Sequence, residues 1–222
     1  MLATSRTVGK NGFTLVELLA TITIIAVLVG LGTVGYMKAI DSADSVRCLA
    51  NMRAVGVGIS MYCADHQGFL PGQCDNSIRH TYRINNNDLG AFLAPYWNLP
   101  PADTITRDAP ALMCPAWKRK VNVAGGKCYL NPSGIKGYYN ADGTRKYCPF
   151  KGNSDSPMRM LAILSIPGLM ASQQWMVQDF DQVNCVTINI TGQAATPVHG
   201  SVRNVLFFDL HAEAVPATTI LN

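Results

Sequence analysis

The sequence predicts an α+β protein in which a long N-terminal transmembrane helix continues into a small globular head with a short antiparallel sheet. Three observations lead to this prediction. Residues 18–37 contain no charged side chain. Beyond that run, apolar residues recur at helical spacing as far as Met61. Near the C-terminus, short segments of alternating and β-branched residues are typical of strands.

The composition agrees with a chain that is only partly folded in water. Of the 222 residues, 48% are hydrophobic and 14% are charged, whereas soluble domains usually contain about 25% charged residues. The length suffices for one membrane segment and one modest domain. The net charge of +4 includes Arg6 and Lys10 of the N-terminal segment, so we expect no nucleic-acid partner.

The apolar run at residues 18–37 has the length of a membrane span. Its 20 residues, at about 1.5 Å each, match the roughly 30 Å hydrocarbon core of a bilayer. A cleaved signal peptide would have a shorter apolar core followed by a small-residue site, which residues 35–38 lack. We therefore expect a retained single-pass helix. Arg6 and Lys10 precede it, which predicts a cytoplasmic N-terminus and an external head.

Glu17 lies at the start of this apolar helix, where a carboxylate is unusual. A charged side chain costs about 2.5–3.5 kcal/mol near the bilayer centre and less at its rim. Two interpretations are open from the residues alone. Glu17 either marks the membrane interface or has a partner that offsets its burial.

The segment that begins at Lys10 reads Lys-Asn-Gly-Phe-Thr-Leu-Val-Glu-Leu-Leu. It closely resembles the class III signal of type IV prepilins and type II secretion pseudopilins. The resemblance implies that prepilin peptidase cuts after Gly12 and that the new N-terminal Phe13 is methylated. It also implies that Glu17 neutralises the N-terminal amine of a neighbouring subunit. The expected partners are therefore prepilin peptidase and other pilin or pseudopilin subunits, in a homo- or hetero-filament.

Four segments are predicted along the chain. They are a leader at residues 1–12, the transmembrane part of the helix at 13–37, its outer part at 38–66, and a loop-rich head at 67–222. Asp41, Asp44, Arg47 and Arg53 predict a wetter surface on the outer part nearer the membrane. The expected location is the bacterial inner membrane, with the leader cytoplasmic and the head periplasmic or extracellular.

The outer part of the helix carries two apolar stripes, which indicate that it is covered by other structure. The first stripe contains Ile40, Ala43, Val46, Ala50, Ala54, Val57 and Met61, and the second contains Cys48, Met52, Val55, Ile59 and Tyr62.

The head divides into an irregular part and a strand-rich part. Residues 67–157 are rich in Gly, Pro, Asn and Asp, and we expect loops with little regular structure there. Strands are predicted at residues 175–178, 184–190, 202–208 and 211–215. Three or four of them would pair antiparallel and pack on the long helix.

The 7 cysteines include no C-x-x-C pair, which argues against a zinc ribbon or a thioredoxin-type motif. Disulfides in an oxidising compartment fit better, and the odd number leaves at least one thiol unpaired. The candidate pairs are Cys63 with Cys74, Cys128 with Cys148, and Cys48 with Cys114. Six cysteines allow about 15 connectivities, so other pairings stay open.

The C-terminal region contains His199 and, after nine residues, Asp209 and Leu210. It resembles the prepilin-type domain named for a His, nine residues and Asp-Gly. Cys48 opens a Cys-Leu-Ala-Asn-Met-Arg segment similar to that group's Cys-x-x-Asn-Leu-Lys helix, and Cys114 precedes a proline as in its mid-domain Cys-Pro. Leu210 replaces the usual Gly and resists φ > 0, so we expect a longer or different turn, with Asp209 accepting backbone hydrogen bonds.

A structural subunit is expected rather than an enzyme, because G-x-S-x-G, P-loop and zincin motifs are absent from the sequence. No cofactor is expected. His199, Asp209 and His211 are types that could ligate a metal, but we interpret them as hydrogen-bonded parts of a hairpin. The alternative function is a filament-displayed or membrane-anchored module that binds polysaccharide. Its candidate stacking residues, if exposed, are Tyr96, Trp97, Trp117, Tyr138 and Tyr139.

Overall fold

The computed structural model describes residues 12–84, 87–135, 137–138, 140–143, 146–150, 157–185 and 192–219. The predicted leader, apart from Gly12, lies outside these residues, as do Tyr139 and most of the strand predicted at 184–190. The chain divides into two compact units, Met1–Ile40 and Asp41–Asn222. The secondary structure follows the predicted α+β class.

Helix α1 spans Leu15–Asp65 without interruption. Its N-terminal part is apolar, and Leu18, Ile22 and Leu28 are each more than half exposed. An 18-residue window of α1 has a mean hydropathy of 2.4 and no buried residue. By length and composition, α1 can cross a membrane.

The two apolar stripes of α1 have different environments within the chain. Cys48, Met52, Val55 and Ile59 are fully buried and belong to the main core of the head. The first stripe is largely open, because Val46, Val57 and Met61 are 64%, 58% and 47% exposed, whereas Ile40 is half-buried. Within the described part of the chain, the predicted cover is present for the second stripe, and most of the first stripe stays open.

A five-stranded antiparallel sheet lies in the head, in the order β1-β4-β5-β6-β7, and β2 pairs with β3 in a separate two-stranded sheet. The strands are β1 Ser77–Arg79, β2 Thr81–Tyr82, β3 Arg107–Asp108, β4 Lys127–Leu130, β5 Trp175–Asp179, β6 Val202–Phe207 and β7 Ala212–Pro216. The short helices are α2 Leu89–Leu93, α3 Pro115–Lys120 and α4 Met160–Leu164, and 3₁₀ turns occupy Ala94–Trp97 and Pro110–Leu112.

The three late strands β5, β6 and β7 confirm the strands predicted at residues 175–178, 202–208 and 211–215. Along β6, Leu206 faces the main core with α1, while Val205 and Phe207 pack with Trp175 on a smaller cluster. This alternation is the period of two that a sheet imposes.

Residues 67–157 contain more regular structure than predicted. Strand β1 pairs with β4 through Ser77 opposite Leu130, and β4 pairs with β5 through Tyr129 opposite Asp179. Both strands were missed because they have only three and four residues, too few to show a clear alternation. The centre of the head therefore supplies two of the five strands of the main sheet.

The hairpin between β6 and β7 has the longer turn that Leu210 predicts. The N–H of Phe207 donates to the carbonyl of His211 at 2.9 Å, so three residues lie between this hydrogen-bonded pair. Leu210 nevertheless adopts a φ of 70°, the left-handed position that Gly or Asn usually occupies in three-residue loops. The N–H of His211 donates to Asp209 Oδ1 at 3.2 Å, as expected for Asp209.

Candidate functional site

The chain around Gly12 and Phe13 is open to other molecules. Both residues precede α1 and have no regular secondary structure. The side chain of Phe13 is 77% exposed, and a Cβ added at Gly12 would meet nothing within 4 Å. Both residues that flank the predicted cleavage point are therefore exposed.

Glu17 has a partner within its own chain. Its Oε2 accepts hydrogen bonds from the backbone N–H of Thr14 at 2.9 Å and from Thr14 Oγ1 at 2.8 Å. The N–H of Glu17 donates back to Thr14 Oγ1 at 3.3 Å. This reciprocal pairing is a capping box, which satisfies donors at the start of a helix. The capping box is a third interpretation of Glu17. The pattern Thr-x-x-Glu is the usual sequence signature of a capping box, but it was not recognised in the sequence.

Residues 9–33 match the family of the prokaryotic N-terminal methylation motif. The N-terminal segment is prepilin-like. No curated protein matches the chain, and no solved structure matches it. The matched region includes Gly12, Phe13 and Glu17, and it supports a type IV pilin-like substrate of prepilin peptidase. The motif points to a structural role for the chain.

Beyond the prepilin-like segment, the head contains a buried group of four side chains, Cys48, Cys114, Asp179 and His199. One sulfur, nitrogen or oxygen atom from each lies within 4.8 Å of the others. Cys48 is in α1, Cys114 directly precedes α3, and Asp179 ends β5. His199 lies before β6 and pairs with Val202, the first residue of β6, through an isolated β-bridge. Among the described residues, this is the group of His, Cys, Asp and Glu side chains that could hold a metal ion.

The contacts within this four-residue group are short. His199 Nε2 lies 3.3 Å from Cys114 Sγ and 3.6 Å from Asp179 Oδ2. Cys48 Sγ lies 3.5 Å from Asp179 Oδ1. The side chains of His199 and Asp179 are only 1% and 2% exposed, and both cysteines are fully buried.

Each member of the group shifts the ionisation of the others. Burial raises the pKa of the Cys48 thiol well above its usual range. The hydrogen bond from Cys48 lowers the pKa of Cys114 and outweighs burial. Burial raises the pKa of Asp179 to about 7. Burial opposes the charged form of His199, but the contacts with Cys114 and Asp179 prevail and raise its pKa. The ionisation of each group therefore depends on its burial and on its contacts within the group.

Two neighbours hold the group in place. The N–H of Asn204 donates to Asp179 Oδ2 at 2.7 Å, and Tyr129 Oη lies 3.2 Å from Cys48 Sγ. Both neighbours are buried and lie in β6 and β4, the strands on either side of β5. Two residues of the sheet, Asn204 and Tyr129, therefore fix the side chains of Asp179 and Cys48.

The predicted set of His199, Asp209 and His211 is not brought together. Asp209 Oδ1 hydrogen-bonds to His211 Nδ1 on the hairpin, where both side chains are more than a third exposed. His199 instead faces the two cysteines and Asp179. The sequence predicts Cys48 and Cys114 as a candidate disulfide pair and groups His199 with Asp209 and His211. Asp179 gave no signal beyond an acidic residue ending an apolar strand.

None of the seven cysteines is disulfide-bonded in the structure. The predicted pairs Cys63 with Cys74, Cys128 with Cys148, and Cys48 with Cys114 are therefore not present in it. Cys48 and Cys114 do lie together, as that pairing requires, but their sulfurs share the site with Asp179 and His199.

Proposed function

We propose that the chain is a structural subunit of a type IV pilus or of a pseudopilus like that of type II secretion. The match of residues 9–33 to the N-terminal methylation motif carries this proposal. Prepilin peptidase removes residues 1–12, and the new N-terminal Phe13 is methylated. The chain then leaves the membrane by joining other pilin or pseudopilin subunits through α1.

Two exposed surfaces of α1 support assembly, and their energetics differ. Within the membrane, lipid is as apolar as the side chains, so helices associate through close packing. Gly30, Gly32 and Gly35 have open space around their Cα atoms, which allows close approach of a neighbouring helix. In the outer part, Val46 and Met61 are exposed, and there burial against a neighbour gains hydrophobic free energy.

The orientation follows from the charges that flank the helix. Arg6 and Lys10 precede the apolar run, and positive residues on short flanking segments remain on the cytoplasmic side. The subunit is accordingly held in the inner membrane by a single span. Its head faces the periplasm or the exterior, where subunits are added to the filament.

A polysaccharide-binding role gains little support from the aromatic residues. Trp117 is 1% exposed, which contradicts its use as an open stacking platform. Trp97 Nε1 donates to the carbonyl of Ala54 at 3.3 Å, and Tyr96 Oη donates to Asp65 at 3.0 Å. These rings are partly buried and attach the 3₁₀ turn to α1. We therefore retain the structural role as the proposal.

Mass spectrometry of the N-terminus tests the proposal. Protein extracted from the membranes of a host with active prepilin peptidase should begin at Phe13 and carry one additional methyl group. A Gly12→Val variant is the control, because a branched side chain at the cleaved bond should leave the leader attached. Wild-type protein that retains Met1 in that host would overturn the proposal.

A further inference from the structure

We propose that Cys48, Cys114, Asp179 and His199 form a structural zinc site in the head. The inference concerns the head alone and does not depend on the filament role. It rests on the geometry, burial and charge of the four side chains.

The spacing of the four ligand atoms fits a tetrahedral ion. With Zn–S bonds of about 2.3 Å and Zn–N or Zn–O bonds of about 2.0–2.2 Å, the edges of a ligand tetrahedron are about 3.3–3.8 Å long. His199 Nε2 lies 3.3 Å from Cys114 Sγ. The two oxygens of Asp179 lie 3.5 Å from Cys48 Sγ (Oδ1) and 3.6 Å from His199 Nε2 (Oδ2). Every ligand atom is within 4.8 Å of the other three, so small adjustments place all four around one point.

The charges of the group also call for a cation. Two thiols and a carboxylate are almost completely buried, and His199 is the one basic side chain within 4 Å of Asp179 among the described residues. A buried carboxylate is costly unless it is paired or coordinates a metal. Cys, His and Asp side chains are all zinc ligands, and structural zinc sites take four protein ligands.

The outer contacts resemble those that orient metal ligands. The N–H of Asn204 donates to Asp179 Oδ2 at 2.7 Å, and Tyr129 Oη can donate to a Cys48 thiolate at 3.2 Å. Such partners fix the ligands and raise the affinity of metal sites. Both come from strands β6 and β4, which are parts of the same sheet.

The arrangement does not suit a Cys-His-Asp nucleophile. In that relay the carboxylate holds one ring nitrogen while the other nitrogen faces the thiol. Here Asp179 and Cys114 both face Nε2, and Nδ1 is buried without a hydrogen-bond partner among the described residues. Convergence on one nitrogen is the geometry of ligands around an ion. Cys114 is also fully buried, out of reach of a substrate.

A zinc ion at this point would join α1 to the start of α3, to the end of β5 and to the segment before β6. These elements are far apart in the sequence, so the ion would act as a cross-link and its binding free energy would add to the stability of the fold. The site would thus take the place of the Cys48–Cys114 disulfide predicted from the sequence.

Metal analysis of the full chain, purified in detergent without chelators, tests the site. Wild-type protein should retain one equivalent of zinc after exhaustive dialysis. After removal of the zinc under reducing conditions, added Co²⁺ should produce the visible bands of tetrahedral cobalt and a thiolate charge-transfer band. This second measurement uses wild-type protein and does not depend on whether any variant folds.

Matched variants locate the metal. Asp179→Asn and Cys114→Ala should reduce the retained zinc to background, whereas Cys74→Ala, which removes another buried thiol outside the group, should keep one equivalent. His211→Ala is the corresponding histidine control. Circular dichroism checks that each variant is folded.

Three results would overturn the zinc assignment. They are metal-free wild-type protein that also fails to bind Co²⁺, full zinc retention by Cys114→Ala, and a Cys48–Cys114 disulfide in protein mapped under non-reducing conditions. Iron or copper in place of zinc would support the site but overturn the choice of ion. The same peptide map tests the other two predicted disulfides.

Discussion

Arg119, in α3, holds the buried carboxylate of Asp44, in α1, with two nitrogen atoms. Nε and Nη2 lie 3.0 and 2.9 Å from Asp44 Oδ2, and Nη2 also reaches Asp41 at 2.6 Å. The predicted wet surface at this level of α1 is therefore wrong for Asp44. Since α3 begins directly after Cys114, this ion pair also positions one end of the proposed zinc site.

Replacing Arg119 with Met should destabilise the head. Met keeps the apolar length of the side chain but leaves Asp44 buried without its cation, and an unsatisfied buried polar group costs about 1–3 kcal/mol. Denaturant unfolding of the detergent-solubilised chain, followed by the fluorescence of the tryptophans, measures the change. Lys118→Met is the matched control, because Lys118 is an exposed neighbour and its loss should change stability by less than about 0.5 kcal/mol.

The double variant Arg119→Met with Asp44→Asn should recover part of the loss, because it no longer buries an unpaired charge. If Arg119→Met were no more destabilising than Lys118→Met, solvent would have to reach Asp44, and the pair would have little structural importance.

Two substitutions of Glu17 separate its proposed roles. Glu17→Gln retains a side chain that can complete the capping box with Thr14 but removes the negative charge. Glu17→Ala removes both the capping side chain and the negative charge. If Glu17 neutralises the amine of a neighbouring subunit, both variants should insert in the membrane yet fail to enter filaments, as measured by shearing filaments from cells and quantifying the subunit.

Normal incorporation of Glu17→Gln together with failure of Glu17→Ala would assign Glu17 to the capping box alone. Equal incorporation of both variants would leave Glu17 as an interface marker. Membrane extraction of each variant verifies insertion, which the loss of a charge should make easier.

The sequence was most informative where a pattern is long or local. The apolar run of α1 and the alternation of β6 are both long enough to show their periods. The turn at Leu210 was predicted to be longer than an Asp-Gly turn, and it is, but Leu210 adopts the positive φ that this prediction expected it to avoid. Strands β1 and β4 were missed since a few residues in a polar context have no readable period, and their pairing depends on distant partners.

The full set of zinc-site residues could not be grouped from the sequence for a related reason, although Cys48 and Cys114 were paired as a candidate disulfide. Cys48 and Asp179 are 131 positions apart, and only the packing of α1 against the sheet brings them together. His199 was instead grouped with Asp209 because their spacing resembled a known motif. The structure shows that the motif spans two separate features, a buried histidine and an exposed turn.

Gly58 and Trp97 should behave as a coupled pair. A Cβ built at Gly58 lies 3.0 Å from Trp97 Nε1, so Gly58→Ala should displace the indole and break its hydrogen bond to Ala54. The stability lost by displacing the indole should exceed the roughly 1 kcal/mol of helix stability that Ala gains over Gly. In a Trp97→Ala background the clash is absent, and Gly58→Ala should become stabilising. A double-mutant cycle from denaturant unfolding measures the coupling, and a sign that does not change between backgrounds would contradict it.

Leu210 offers a test of backbone strain against packing. Its φ of 70° is unfavourable for residues with a Cβ and most unfavourable for β-branched ones. Leu210 is 38% exposed, so part of its side chain is packed, and a packing argument alone ranks Val above Ala as a replacement. The backbone argument reverses the order: Leu210→Val should lower the melting temperature more than Leu210→Ala.

Ile105, which is exposed and does not have a positive φ, provides the control, since the Ile105→Val variant should be at least as stable as the Ile105→Ala variant. If Val were also the better replacement at Leu210, packing rather than φ would decide the stability of this turn.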